Sequence, residues 1–425
     1  MPAAQQPLSH VYPLGSRLDE AGRLEVGGCD VIALAREFGT PAYVVAPDDI
    51  RARARAIVAA YAARTASSDV VFASKAFPCT AVYRLLAEEG IGCDVASGGE
   101  LAMALRGGFA PERIHLHGNA KTREELAYAL DVGIGHVIVD NVHDLDLLDA
   151  LLAEREAPRV QPILLRVAPG VSPDTHPSIS TGGPNTKFGF SPEDAPAAIA
   201  RAQASDRLDL RGLHFHIGSQ LMDTAPFRTA LEAIAPLGDF PVVNLGGGLG
   251  VAYLEGDRPP SVEDYVAAKV DAVHDVLGAD VRIVDEPGRA LVANAAVTLY
   301  TVQSVKRNVA TWVAVDGGMS DNLRPMLYGA RYEAQIADRF GGGTACHVTG
   351  KHCESGDVLV SGADLDDPRP GDVLVTPVTG AYGHAMANTY NGALRPPVVF
   401  VSGGNARVVV RRDTEEDLFA RDVQL

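Results

Sequence analysis

Short apolar runs, each ended by polar residues or glycine, recur through the first two thirds of the chain. Eight such runs lie near residues 70–74, 91–95, 114–118, 136–140, 162–167, 211–216, 241–246 and 281–285. Continuous apolar runs of this length, bounded by Gly, Pro, Asp or Asn, are typical of strands that are buried on both faces. The pattern therefore predicts eight buried strands.

The segments between the first five runs can hold helices, which we expect over 78–89, 99–107, 122–132 and 142–156. Strand–helix units with right-handed crossovers either open into a doubly wound sheet or close into a (β/α)8 barrel of the TIM type. Eight units favour the barrel. Barrels of this kind carry their chemistry at the C-terminal ends of the strands, so the residues that end each run become the candidates for a site.

The pattern changes after about residue 290. β-rich runs at 295–306, 311–315, 357–361, 372–377, 398–402 and 407–412 are separated by glycine-containing turn clusters. Several short strands with few helices between them predict a β-sandwich or a small barrel. We therefore expect an N-terminal segment over 1–40 with a helix at 31–38, an α/β barrel over 41–290 and an all-β domain over 291–425.

Composition narrows the classes of protein. The chain has 425 residues and a formal net charge of −17, which makes nucleic acid and anionic membranes poor partners. Its five cysteines are an odd number without framework spacing, which indicates reduced thiols in a cytoplasmic protein. The first residues lack a signal-peptide pattern, and no apolar stretch is long enough to span a membrane. We expect no metal.

Lys75 ends the first apolar run, which reads Asp-Val-Val-Phe-Ala-Ser. A lysine in this position is poorly placed for solubility and well placed for covalent chemistry. Single lysines at strand ends are more often plain solvated charges. The residues at the other strand ends must therefore indicate whether Lys75 is a surface charge or part of a site. They carry residue types suited to holding a charged cofactor: Asp94 with Ser97, His117 with Asn119, Asp140, Arg166, His216 with Ser219, Gly246–Gly248, and Glu286 with Arg289.

Two of these strand ends indicate which cofactor. The glycine run Gly246–Gly248 can present backbone N–H groups to a phosphate, although a plain tight turn gives the same sequence. Its spacing matches neither a Walker nor a Rossmann motif, which favours a phosphate ester smaller than a nucleotide. Glu286 ends the eighth run, and a carboxylate facing a pyridine nitrogen stabilises the protonated ring, whereas the alternative is an ordinary loop salt bridge. Together with Lys75, these are three of the contacts that pyridoxal phosphate needs.

The order of these residues resembles that of the fold-type III pyridoxal-phosphate decarboxylases. The shared segments are Phe72–Phe77, His216–Gln220, the triple glycine, Glu286–Arg289 and Cys353–Asp357. More narrowly, the chain is similar to the diaminopimelate decarboxylases of the actinobacterial type rather than to ornithine or arginine decarboxylases. That narrower likeness rests on His176–Gly182, Lys187–Gly189, Asp316–Pro325 and Leu327–Ala330.

The resemblance implies a fold, an assembly and a reaction. The fold would be a (β/α)8 barrel with a C-terminal β domain that also takes in the N-terminal segment. The assembly would be a homodimer with its active sites at the subunit interface. The reaction would be the decarboxylation of meso-2,6-diaminopimelate to L-lysine and CO2 with pyridoxal phosphate, the last step of lysine biosynthesis.

The resemblance also implies residue roles. Lys75 resembles the lysine that binds the cofactor aldehyde, Glu286 the partner of the ring nitrogen, and Cys353 the proton donor that the partner subunit contributes. The implied cofactor-binding residues are Lys75, Asp94, His216, Ser219, Gly247, Gly248, Glu286, Pro287, Gly288, Arg289 and Tyr382. The implied substrate-binding residues are Arg289, Arg324, Tyr328, Glu354 and Tyr382. Phe77 and Ala290 replace the Asn and Ser of many relatives, which affects fine detail rather than the chemistry.

Three rival interpretations remain. An enzyme similar to alanine racemase would share the barrel and the lysine, but that family places an arginine near the ring nitrogen, where this chain has Glu286. A non-catalytic pyridoxal-phosphate protein would be a single barrel and would leave residues 291–425 without a role. A related decarboxylase acting on another carboxylated diamine, or on a carrier-bound amino acid, is not distinguished by the sequence.

Overall fold

The computed structural model describes residues 8–156, 159–171, 183 and 186–423. The chain divides into two compact units. The first consists of Arg51–Gly250 and Arg258–Ala290; the second consists of the residues up to Ile50, the short segment Val251–Asp257 and the residues from Leu291 onward. The motif at 176–182 lies outside the described residues.

The first unit contains a closed barrel of eight parallel strands. The strands are Ser68–Ala73, Gly92–Val95, Ile114–Leu116, His136–Val139, Gln161–Arg166, Leu208–His214, Val242–Asn244 and Arg282–Asp285. They follow one another around the barrel in chain order, and the barrel closes where Val284 pairs with Asp69. The prediction of eight strands and a TIM-type barrel is confirmed. The strands differ from the predicted runs by a few residues at their ends.

Helices connect the barrel strands. They are Thr80–Glu88, Gly98–Gly107, Arg123–Val132, Val142–Ala153, Ala195–Gln203, Ala225–Ile234 and Val262–Val276. The first four agree with the predicted helices, and their starts are set by local chemistry: Thr122 and Glu125 form a capping box, and Asn141 accepts a hydrogen bond from the backbone N–H of Asp144. These connections place the eight strand ends named above on one face of the barrel.

A layer of apolar side chains fills the interior of the barrel. Val71, Ile138, Leu164, Val242 and Val284 form one buried cluster, contributed by five different strands. Such a layer makes the barrel a packed core rather than a pore. Polar residues at the C-terminal strand ends therefore lie above an apolar floor.

The second unit is built mainly from a nine-stranded sheet. Its strands are Ala42–Val45, Ala296–Arg307, Thr311–Val315, Gln335–Ile336, Thr344–Thr349, Val358–Leu365, Val373–Pro377, Val398–Ser402 and Asn405–Val410. The long strand Ala296–Arg307 pairs with three neighbours along its length. A small three-stranded sheet and the helix Val31–Phe38 precede it, and the backbone N–H of Leu24 donates to Ala337. A separate, mostly β unit is thus present as expected.

The expected start of the barrel at residue 41 differs from the structure. Ala42–Val45 lies in the nine-stranded sheet, antiparallel to Ala296–Leu299 and parallel to Val398–Phe400. All four of its residues are buried, so the run has the same apolar signature as a barrel strand. Sequence pattern identifies a buried strand but does not say which sheet it joins.

No helix in the described part of the chain is both long enough and apolar enough to cross a membrane. The five cysteines, Cys29, Cys79, Cys93, Cys346 and Cys353, are all free thiols.

Gly212 provides a test of the barrel register. A Cβ atom on Gly212 would lie 1.9 Å from the carbonyl oxygen of Val242, on the neighbouring strand, and backbone cannot move aside without disturbing the pairing. We expect Gly212→Ala to lower the free energy of unfolding by about 1–3 kcal/mol, the usual cost of overpacking. Denaturant unfolding would measure it.

The matched control is Gly99→Ala in the same unit. Gly99 is exposed in the first turn of a helix, and the nearest atom to an added Cβ is 3.7 Å away. Because alanine is the better helix former, this variant should unfold like the wild type or slightly later. Equal stability of the two alanine variants would contradict the barrel register.

Candidate active site

Lys75 lies in a single 3-10 turn, Ser74–Ala76, directly after the first barrel strand. Its side chain is exposed, whereas the flanking Ser74 and Ala76 are buried. The ammonium donates no hydrogen bond to any described residue, but its charge acts on Asp94 and His216, the residues at two other strand ends. The lysine is therefore held on a buried turn with its amine free to react.

Glu286 is the most heavily hydrogen-bonded carboxylate of the barrel end, with only 5% of its surface exposed. Oε1 accepts from His117 Nε2 at 2.9 Å and from Asn244 Nδ2 at 2.6 Å, and Oε2 accepts from His214 Nε2 at 3.3 Å. Burial alone would raise the pKa of Glu286, but the imidazoles of His117 and His214 outweigh burial and hold the pKa well below its usual value. Glu286 is thus an ionised carboxylate in the protein interior.

The two histidines that bond Glu286 differ in their pKa shifts. Burial lowers the pKa of His214 to about 4, so its ring is neutral near pH 7 and acts only as a hydrogen-bond donor. Burial would also lower the pKa of His117, but the carboxylates of Asp94 and Glu286 raise it above the usual value. The two carboxylates thus favour the imidazolium form of His117, the form that balances the charge of Glu286.

Asp94 completes this group. Its carboxylate lies 4.0 Å from His117 Nε2, and burial raises its pKa to about 6, with His117 opposing that shift and Glu286 adding to it. Asp94 therefore changes its charge near pH 6, whereas the lowered pKa of Glu286 keeps that carboxylate ionised. This set of side chains suits a ligand whose ring nitrogen carries a proton.

His117, His214 and Glu286 also have the residue types of a metal site. Their potential ligand atoms lie within 4.8 Å of one another. The three are already joined by the hydrogen bonds described above, and the neighbouring carboxylates favour the protonated form of His117, which cannot bind a metal through Nε2. The chemistry of the group fits an organic ring better than a metal.

The glycine turn approaches its neighbours more closely than any side chain would allow. Gly246 and Gly248 have φ values of 59° and 130°, which favour glycine. A Cβ on Gly247 would lie 2.1 Å from the carbonyl oxygen of Glu286, and one on Gly248 would lie 2.9 Å from that of Gly218. The turn therefore forms a backbone cradle beside Glu286, of the kind that binds a phosphate.

Ser219 and Arg289 lie together at this end of the barrel. Arg289 Nη2 donates to Ser219 Oγ at 2.9 Å, and Arg289 is 95% buried. The adjoining Gly288 packs on the lysine turn, since a Cβ there would be 3.0 Å from Ala73 Cβ, and Ala73 N donates to Pro287 O at 3.2 Å. The segment Glu286–Arg289 thus joins the lysine turn to a guanidinium and a hydroxyl that can bind phosphate.

His216 lies beside the glycine turn, with Nδ1 only 2.7 Å from where a Cβ of Gly246 would be. Burial and then the charge of Lys75 lower the pKa of His216 well below its usual value. It is therefore a neutral, flat ring, as a stacking role requires. These features together fit pyridoxal phosphate: an accessible lysine at a strand end, a cradle that a Cβ would fill, and an ionised acid for the ring nitrogen.

The remaining predicted site residues lie in the second unit. Arg324 begins the helix Arg324–Tyr328, and Tyr382, with a φ of 64°, precedes the short helix Gly383–Met386. Arg324 is 5% exposed; its guanidinium lies 4.7 Å from the ring centre of Tyr253 and hydrogen-bonds to the hydroxyl of Tyr332. Among the described residues no carboxylate forms an ion pair with it, and its Nε has no partner. A buried guanidinium in this state is suited to binding an anion.

Cys353 and Glu354 are exposed in a hydrogen-bonded turn. His352 Nδ1 and the backbone N–H of His352 both bond Asp357 Oδ2, at 2.7 and 3.1 Å, which closes the turn. Asn391 Oδ1 accepts from the backbone N–H of Cys353 at 3.0 Å. The two side chains are thus presented outward from a fixed backbone.

Sequence reasoning missed Asn244, which is fully buried and binds both Glu286 and the N–H of Gly246. It also gave no role to His214 and named His117 without its partner. Asn244 is the polar end of an otherwise apolar strand just before the glycine run, and that position was the available signal. Nothing in the sequence indicates which side chain it meets.

Comparison with known proteins agrees with this geometry. The model of the pyridoxal-dependent decarboxylase family, pyridoxal-binding domain, matches residues 48–293. A diaminopimelate decarboxylase of Actinosynnema pretiosum is 47% identical, with 97% of this chain and 95% of the relative covered. That of Bacillus subtilis is 44% identical, with 96% of this chain and 97% of the relative covered.

A solved structure is also similar over nearly the whole chain. It is the diaminopimelate decarboxylase of M. jannaschii in complex with L-lysine, with a TM-score of 0.90, 34% identity, and coverage of 96% of this chain and 98% of that chain. The barrel, the β unit and the residues at the strand ends are consistent with this similarity over nearly the whole chain. The chain belongs to the diaminopimelate decarboxylases within the pyridoxal-dependent decarboxylase family.

Proposed function

We propose that this protein decarboxylates meso-2,6-diaminopimelate to L-lysine and CO2, the last step of lysine biosynthesis, with pyridoxal phosphate as its cofactor. The proposal rests on two basic side chains, each without an ion-pair partner among the described residues, in a chain of this family. Lys75 offers a free amine on a buried turn, and Arg324 is a buried cation without a carboxylate among the described residues. The first suits an aldehyde cofactor, and the second suits a substrate with an additional carboxylate.

When bound, pyridoxal phosphate supplies an electron sink for the electron pair that is left when CO2 departs. Lys75 would hold the cofactor through its aldehyde, with the lysine amine as the attaching group. The ionised carboxylate of Glu286 favours a proton on the ring nitrogen, which strengthens the sink. His117 keeps Glu286 ionised by holding its own proton at Nε2.

The cofactor is bound by residues at the barrel end. In this proposal Ser219, Gly247, Gly248, Gly288 and Arg289 bind the phosphate, and His216 stacks on the ring. We also assign Asp94, Pro287 and Tyr382 to cofactor binding. Supporting this set, the hydrogen bond from Arg289 to Ser219 and the glycine cradle concentrate donors in one place.

The substrate is selected at its far end, which carries a second amino group and a second carboxylate. We assign the carboxylate to Arg289, Arg324, Tyr328 and Tyr382, and the ammonium to Glu354. A guanidinium binds a carboxylate in a bidentate manner, whereas ornithine would leave Arg324 buried and unpaired, which costs several kcal/mol, roughly the 3–5 kcal/mol of a broken buried pair. This contrast distinguishes the proposed substrate from simple diamine precursors.

We also propose a homodimer in the cytoplasm. In this arrangement Cys353 protonates the carbon that has lost CO2. Each active site receives its Cys353 from the other subunit of the dimer. The exposed position of Cys353 and Glu354 on a hydrogen-bonded turn supports a role beyond their own unit. Five free thiols support a reducing compartment.

Lys75→Ala should abolish covalent attachment of the cofactor. Purified wild-type protein is expected to be yellow, and the visible absorption band of the bound cofactor should be absent in the variant, since no other amine replaces Lys75. Lys306→Ala, an exposed lysine of the second unit, is the control and should keep the band. A colourless wild type that stays so with excess pyridoxal phosphate would refute the cofactor assignment.

Arg324→Ala should lower kcat/KM for meso-diaminopimelate by at least about tenfold, because loss of one charged contact costs about 1.5–3 kcal/mol. Glu354→Ala should show a similar loss. Both variants should keep the cofactor absorption, since their effect lies at the far end of the substrate. Arg331→Ala, an exposed arginine seven residues from Arg324, is the control and should keep wild-type kcat/KM.

The outcome that would contradict the substrate assignment is equal or better turnover of ornithine, lysine or a carrier-linked amino acid by the wild type. That result would move the protein to a related decarboxylase while leaving the cofactor contacts in place. Separate assays with the diaminopimelate stereoisomers would decide it, and we expect reaction at the D centre only.

Complementation tests the shared site. Lys75 lies in the barrel unit and Cys353 in the second unit, so mixing inactive Lys75→Ala with inactive Cys353→Ala subunits should restore part of the activity through hybrid dimers. Each variant mixed with itself is the control. If tagged subunits are seen to exchange and no activity returns, the interface assignment is wrong.

A further inference from the structure

Lys269 is a lysine with no exposed surface, in the middle of the helix Val262–Val276. Its ammonium lies 2.5 Å from Oδ1 of Asp285, which is also fully buried. Both residues belong to the barrel unit. Neither has a place in the chemistry described above, although Asp285 directly precedes Glu286.

A buried ion pair of this kind needs an explanation other than stability. Removing two charges from water costs about as much as their attraction returns, and well-packed apolar residues often replace such pairs without loss. Two aromatic rings flank Lys269, with Nζ 4.3 Å from the ring centre of Phe227 and 4.4 Å from that of Tyr265. We therefore expect the role of the ion pair to lie in the segment that it holds in place.

Lys269 holds the glycine turn. Its Nζ donates to the carbonyl oxygen of Gly246 at 3.0 Å, and the backbone N–H of Glu286 donates to the same oxygen at 3.2 Å. On the other side, Asn244 accepts from Gly246 N at 2.9 Å and donates to Glu286 Oε1 at 2.6 Å. Gly246 is thus the junction between the phosphate cradle and the acid.

Asp285 fixes the direction of the lysine. Its Oδ1 accepts from Lys269 Nζ and, at 3.2 Å, from the hydroxyl of Tyr265, one turn earlier on the same helix. The two aromatic rings close the remaining sides of the ammonium. The position of the lysine is therefore restricted on these sides, and its other hydrogen-bond partner is the carbonyl oxygen of Gly246.

We propose that Lys269 and Asp285 are a positioning pair that fixes the distance between the glycine turn and Glu286. The inference rests on the proposed function, because those two elements are the anchors for the phosphate and the ring nitrogen of the cofactor. Lys269 does not itself reach the cofactor. It acts through Gly246, and Asp285 acts through Lys269 and through its peptide bond to Glu286.

The test compares two buried Lys–Asp pairs in the same barrel. The variant Lys269→Met/Asp285→Asn removes both charges and leaves an acceptor for Tyr265. The matched control is Lys121→Met/Asp144→Asn, whose side chains are each 2% exposed and 2.7 Å apart and bond neither Glu286 nor the glycine turn. Full-length protein is freed of cofactor, and the dissociation constant of pyridoxal phosphate, kcat, KM and the unfolding temperature are measured.

We expect both double variants to change in unfolding temperature and only the Lys269 variant to change in cofactor binding. Its dissociation constant should rise at least about tenfold, as for loss of one charge-assisted hydrogen bond. At saturating cofactor its kcat should fall while KM for the substrate stays near the wild-type value, because the affected contacts lie at the cofactor and not at the distal carboxylate.

A third variant, Lys269→Gln/Asp285→Asn, keeps a neutral donor that can reach toward Gly246. It should recover part of the affinity lost in the Met variant, and it carries the test if the Met variant does not fold. Equal affinities of the Gln and Met variants would overturn the role of the hydrogen bond to Gly246. A change in affinity or kcat no larger than that of the Lys121 control would make Lys269 a purely structural residue.

Failure of the proposed function would look different. In that case the wild type itself would take up no pyridoxal phosphate or release no CO2 from diaminopimelate, before any variant is compared. A wild type that binds the cofactor, together with an unaffected Lys269 variant, would overturn only the positioning pair.

Discussion

The site depends on keeping one carboxylate ionised inside the protein. Glu286 is almost fully buried, and burial by itself favours the neutral acid. The imidazoles of His117 and His214 prevent that, Asn244 adds a third hydrogen bond, and the three residues come from three different strand ends. None of them is near Glu286 in sequence. The closed barrel brings them together, so the electrostatics of the site follow from the topology of the fold.

Much of the barrel could be predicted from sequence because parallel strands buried on both faces are continuous apolar runs. The same property explains the misplaced boundary at residue 41. Ala42–Val45 is buried on both faces in a different sheet, and nothing in four apolar residues specifies their neighbours. The strand Thr344–Thr349 was not predicted either; only its third and fifth residues are buried, so no continuous apolar run marks it.

Part of the candidate site could be predicted from sequence, because a barrel brings the C-terminal ends of its strands together on one face. Lys75, Asp94 and Glu286 were named for their position, and the structure places Asp94 and Glu286 around His117. Contacts that depend on side-chain direction were not predictable. Asn244 and Lys269 both act on Gly246, from a strand and from a helix, and neither follows a motif. Their partners are fixed by tertiary packing, which a single sequence does not encode in any local pattern.

The strand Ala42–Val45 has a consequence for how the molecule is made. Both of its partner strands come much later in the chain, at Ala296–Arg307 and Val398–Ser402. A chain synthesised from its N-terminus therefore carries this strand with both edges unpaired while the whole barrel emerges, and domains tend to fold as units in that order. An unpaired apolar strand is a template for wrong pairing. Its brevity, at four residues, limits that exposure until residues near the C-terminus arrive to cover it.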